Sequence, residues 1–215
     1  MESFFLWMFD YAGWFIVFSV SSALIRRRSL TGYLRFIWFP LSASAIAEVT
    51  GHILSRMHIP NLFVLHIYTI FEFNALALFY RAFFGSFYPS RLVPGMMAFF
   101  TLASIANSAL IQPLNTFNGY ARALEGLFVM ILALMCYYKI LVDLDTRNLF
   151  RNPVFWINTG YLFYFAGTLF LFILSNLLLQ ESERLNFISW GMHATLVSLN
   201  HVLIGVGIWQ APQRR

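Results

Sequence analysis

Seven apolar stretches, each long enough to cross a bilayer, take up nearly the whole of this chain. About twenty apolar residues in a helix span the ~30 Å hydrocarbon layer, where every backbone polar group must be satisfied within the segment. The stretches run approximately 4–25, 33–55, 62–84, 92–112, 118–140, 153–176 and 188–209. Short polar or proline-bearing links separate them, among them Arg26-Arg27-Arg28, Ile59-Pro60-Asn61 and Asn152-Pro153. No link is long enough for a soluble domain, and no fixed-period repeat stands out. The expected fold is therefore all-α, a single domain over 1–215 built as a bundle of seven transmembrane helices.

Composition agrees with a lipid-facing surface. Hydrophobic residues make up 60% of the chain and charged residues only 11%, against about a quarter charged in soluble domains. A lone cysteine, Cys136, leaves no disulfide framework and no multi-cysteine metal site. Pro40 and Pro94 fall inside the second and fourth spans, where kinks are expected. Small residues Ala43, Ser44, Ala47 and Gly51 are expected to seat a neighbouring helix against the second span.

Basic residues set the orientation. Eleven of the fourteen Lys and Arg flank the first, third and fifth connections or follow the last span, whereas Arg56 and Arg184 lie opposite and Arg122 lies within a span. The positive-inside rule then places the N-terminus outside and the C-terminus in the cytoplasm, most simply in a bacterial cytoplasmic (inner) membrane. The net charge of +5 follows from this asymmetry, so the partners it implies are lipid rather than nucleic acid. Glu2 and Asp10 near the start, with no basic run, do not resemble a cleaved signal peptide.

Polar residues inside spans are costly and mark sites by default. Counting from the outer ends, Asp10, Glu48, His52, His66, Glu72, Asn107, Arg122, Glu125 and His193 fall in one layer on six spans. Asn158, Tyr161 and Tyr164 of the sixth span are expected in the inner half. Glu48 with His52 and Arg122 with Glu125 are spaced to share helix faces. His66 and Glu72, six apart, diverge by some 120° and suit two walls of one cavity. Four carboxylates face one arginine. Glu125 is the nearest ion partner, and the other carboxylates must be balanced by protons, imidazolium, water or a cation.

The expected ligand-binding set is thus Glu48, His52, His66, Glu72, Asn107, Arg122, Glu125 and His193. His52, His66 and His193, with Glu48 as a fourth ligand or base, would suit zinc. The plainer reading has each histidine hydrogen-bonded to a neighbouring helix. The single lysine, Lys139, stands in the fifth span and excludes a retinal Schiff base on the last.

In span number, and in its intramembrane histidine, serine and carboxylate groups, the chain resembles the alkaline-ceramidase superfamily of intramembrane hydrolases, which hold zinc with histidines. Ser189-x-x-x-His193 has that family's serine–histidine spacing but lies in the seventh span, where the family carries His-x-x-x-His. That pair occurs nowhere in this chain, and His193 and His201 are eight apart. The resemblance is therefore one of architecture.

Three functions fit these residues. The first is a sensory or accessory protein whose outward pocket binds a small polar ligand, a lipid headgroup or a cation, and which signals through a membrane-protein partner. The second is a metal-dependent lipid hydrolase with Glu48 or Glu72 as general base. The third is a proton-coupled transporter, for which broken helices are the usual pointer. The first is the leading expectation.

Overall fold

The computed structural model describes residues 2–143, 148–178 and 183–212, and within them all side chains except those of residues 2, 9, 10, 174–178 and 183. Asp10, expected in the polar layer, is thus outside the described side chains. All regular elements described are helical. They are α1 (Glu2–Tyr11), α2 (Phe15–Ile25), α3 (Trp38–Arg56), α4 (Leu62–Phe84), α5 (Leu92–Leu110), α6 (Gly119–Asp143), α7 (Pro153–Leu178) and α8 (Glu183–Trp209).

Among the described residues, six segments are long and apolar enough to cross a membrane: Gly32–Arg56, Leu62–Phe84, Leu92–Leu110, Gly119–Asp143, Pro153–Ile173 and Arg184–Trp209. The first expected span is divided instead. A 3-10 turn, Ala12–Trp14, separates α1 from α2. The two pieces together run parallel to α8 along its length. Phe5 packs edge-on to Phe187, with ring centroids 6.1 Å apart, Ser19 Oγ lies 3.0 Å from His201 Nδ1, and Trp209 Nε1 donates to Ser22 Oγ at 3.1 Å.

Local signals explain where the helices begin and end. Asn152 Oδ1 accepts from Val154 N at 2.9 Å, capping α7, and Pro153 occupies its first position, where no helical partner for an N–H is needed. Gly85 ends α4 at φ +56°, a left-handed conformation that favours glycine. Pro94 falls in the first turn of α5, where a proline breaks no backbone hydrogen bond. Pro40 lies just after the change from the 3-10 stretch Gly32–Ile37 to α3.

Helix α8 packs on α7 and on α1 and α2; α6 packs on α7 and α4; α3 leans on α4; and α5 covers α4 and α6 from outside. Fully buried Phe73, Leu76, Tyr80, Phe100, Leu132 and Ile157 fill the space between α4, α5, α6 and α7. Close helix contacts occur at glycines of α7 and α8. A Cβ on Gly207 would stand 2.7 Å from the Pro153 carbonyl oxygen, and one on Gly160 2.8 Å from Asn200 Oδ1. The small residues of the second span do not take this role. Ser44 and Gly51 border a central cavity, Ala43 borders a groove between α3 and α4, and Ala47 borders both.

Candidate functional site

Arg122, one turn into α6, is the centre of a buried polar cluster. Its Nη1 donates to Glu72 Oε2 of α4 at 2.5 Å and to Glu125 Oε2 at 2.7 Å. Its Nη2 donates to Tyr164 Oη of α7 at 2.8 Å, and that hydroxyl lies 3.3 Å from His193 Nε2 of α8. The guanidinium also stands 4.8 Å from the Phe172 ring centroid. Four helices are thus joined through one cation. Arginine fits this position because its planar fork serves several acceptors and keeps its charge when desolvated.

The cluster faces a cavity of about 620 Å³. Arg122, Glu72, Tyr164 and His193 line it, as do Glu48 and His52 of α3, whose side chains are exposed. Along α8 the lining runs from Trp190 to Ile204, fourteen residues or ~21 Å of helix. The adjoining wall includes Gly13, in the 3-10 turn of the first segment. A Cβ there would stand 2.5 Å from Glu48 Oε1, so the absent side chain makes room for that carboxylate.

The sequence-derived set is only partly brought together. Glu48, His52, Glu72, Arg122 and His193 share the cavity. Glu125 is fully buried behind Arg122 as its ion partner. His66 points elsewhere. Its Nδ1 is 2.7 Å from Ser108 Oγ and its Nε2 is 3.0 Å from the Thr116 carbonyl oxygen, so both ring nitrogens fasten α4 to α5 and the following loop. Asn107 donates to Gln112 Oε1 at 3.1 Å, which in turn accepts from Tyr120 N at 3.0 Å, bracing the same loop. The expected triad of His52, His66 and His193 therefore does not form. Among the described residues no group of three or more His, Cys, Asp or Glu could hold a metal ion.

Other site residues escape the depth count. Tyr164, expected in the inner half with Tyr161, is hydrogen-bonded to Arg122, and Tyr161 also lines the cavity. Tyr68 lies four residues before Glu72 on the same face of α4 and is 3.0 Å from Ser44 Oγ of α3. The i, i+4 spacing to Glu72 was the available signal. Asn118 and Asn200 line the cavity, and their buried Oδ1 atoms have no hydrogen-bond partner. The orientation of Asn118 is fixed, because its Nδ2 donates to Thr69 Oγ1 at 2.8 Å and to the Leu65 carbonyl oxygen at 3.1 Å. Glu125 Oε1 is likewise buried without a partner.

Two carboxylates share one guanidinium, and Glu48 borders the same cavity. Comparison with protein-family models, curated proteins and solved structures gives no match for the chain.

Proposed function

We propose that this is a seven-span integral membrane protein, N-terminus outside and C-terminus cytoplasmic, whose cavity binds a small cationic hydrogen-bond donor, an amine or an amine-bearing headgroup, in a sensory or accessory role. The observation that carries the reading is the excess of acceptors around Arg122. Glu72, Glu125 and Glu48 outnumber the one guanidinium. An ammonium group would bring positive charge and N–H donors to Glu72 and Glu48 at the cavity wall. Aromatic walls, Tyr68, Tyr161, Tyr164, Phe172 and Trp190, suit a cation as well. A volume near 620 Å³ falls within the ~300–1,000 Å³ of small-molecule sites.

The seventh crossing rests on the parallel run of α1 and α2 beside α8, and the orientation on the basic connections. Signal from the site would pass to a membrane-protein partner at the basic face. The test is thermal unfolding in nanodiscs with propylamine as probe. Wild type gains stability with rising amine, and Glu72→Gln loses most of that gain. No gain in wild type at millimolar amine overturns the reading.

One observation favours a second reading, a proton-coupled transporter. The first segment is interrupted at Ala12–Trp14, beside the cavity, and interrupted helices line transport sites. Amine-dependent proton uptake by proteoliposomes would establish it; binding without flux would leave the sensor.

A further inference from the structure

The cavity has a neighbour on the lipid side. Between α3 and α4 lies a groove of about 510 Å³, bordered by Phe39, Ala43, Ile46, Ile67 and Phe71 among others. Its outer flanks are open: Ile46 is 66% exposed and Phe71 65%. Among these helices, such exposure faces hydrocarbon. Along α4 the groove extends from Phe63 to Ala75, twelve residues or ~18 Å, close to the ~15 Å depth of one leaflet.

Ala47, Val64 and Tyr68 line both the groove and the cavity. The partition between hydrocarbon and the Arg122 cluster is therefore one layer of side chains. Two of its members are small or β-branched, and the third, Tyr68, reaches across the gap to Ser44 Oγ at 3.0 Å. The Tyr68 ring lies 5.7 Å from the Arg122 guanidinium carbon, so a group passing Tyr68 arrives directly at the cluster.

We infer that the ligand is a single-chain membrane amphiphile with an amine head, which enters sideways between α3 and α4, leaves its tail in the groove and places its head in the cavity past Tyr68. This rests on the cavity reading and adds to it the ligand's apolar half and its route. The alternative route, from water, needs no groove on the lipid face and no partition that both spaces share. An amphiphile uses both, because its tail stays in hydrocarbon while its ammonium meets the carboxylates. The Tyr68–Ser44 contact then acts as a latch that opens as the ligand passes.

The experiment uses a long-chain primary alkylamine with a photoreactive diazirine in its chain, in phosphatidylcholine nanodiscs, with propylamine as the short probe. Irradiation should label α3 and α4 around Ile46, Ile67 and Phe71. Ala43→Phe fills the groove without touching the cavity, and labelling should fall by about tenfold, the effect of a bulky ring in a fitted apolar space. Propylamine should still stabilise that variant, which also shows that it is folded. Tyr68→Phe removes the latch hydroxyl and should label faster than wild type. Label scattered over all lipid-facing helices, or unchanged in Ala43→Phe, overturns sideways entry while the propylamine response keeps the cavity reading. Loss of the propylamine response in wild type overturns both.

Discussion

The two ends of this bundle use buried polar groups differently. At the end carrying the C-terminus they cross-link helices. Tyr80 Oη donates to Asn158 Oδ1 at 2.9 Å while Asn158 Nδ2 donates to the Ala133 carbonyl at 3.1 Å, and Arg26 Nη2 donates to the Ala211 carbonyl at 2.5 Å. Glycines there allow backbones to approach closely. At the end carrying the N-terminus, His66 and Asn118 also tie helices together, but Glu72, Glu125 and Tyr164 converge on one cation beside open volume. Both patterns involve residues that are expensive in hydrocarbon. The difference is that one end spreads its polar pairs between helices and the other gathers charged groups around Arg122.

The largest way to break this contrast is Arg122→Ala. Removing one partner of a buried ion cluster costs about 3–5 kcal/mol, read as a fall in unfolding free energy in detergent. Combining Arg122→Met with Glu72→Gln and Glu125→Gln should recover most of it, since the stranded charges go too. If Arg122→Ala is harmless, the cluster is not desolvated.

Next comes Gly207→Ala at the packed end. The new Cβ meets backbone of α7 at Pro153 and Ile157, and forcing helices apart costs about 1–3 kcal/mol. Asn158→Ala falls in a similar range, about 1–3 kcal/mol, because it strands the Tyr80 hydroxyl; Tyr80→Phe in the same background should restore part of the loss. The smallest effect belongs to the open end. A Cβ on Gly51 would meet nothing closer than Asn61 Nδ2 at 3.9 Å, and alanine is the better helix residue by about 0.5–1 kcal/mol. Gly51→Ala should therefore be neutral or slightly stabilising. A loss like that of Gly207→Ala would mean that α3 is more tightly packed than the cavity allows.

Much of this was legible from composition and depth. Hydropathy finds the spans because the bilayer fixes their length, and a charge inside a span has few places to go. Glu72, Arg122 and Glu125 were found in this way. Depth along the membrane is one coordinate, though, and azimuth needs the packing. His66 shares its depth with the cluster but stands on another face of α4, against α5. Tyr164 falls short of the layer by residue count, but the reach of the Arg122 side chain joins it to the cluster. Pro40 and Pro94 suggested bends, but their effect depends on position within the helix. The interruption at Ala12–Trp14 carries no proline at all; what distinguishes it is Gly13 and the carboxylate it accommodates.

The parallel run of the first segment beside α8 has a consequence for biogenesis. Ser19 and His201 meet across 182 positions of sequence, so the first segment is made long before its principal neighbour exists. At ~5–20 residues per second the wait is roughly 10–35 s. During that interval α3 to α7 can assemble, but the wall that carries Gly13 has no α8 to hold it. Closure of the cavity thus waits for α8, and a nascent chain arrested before α8 should expose its first segment to chaperones and proteases.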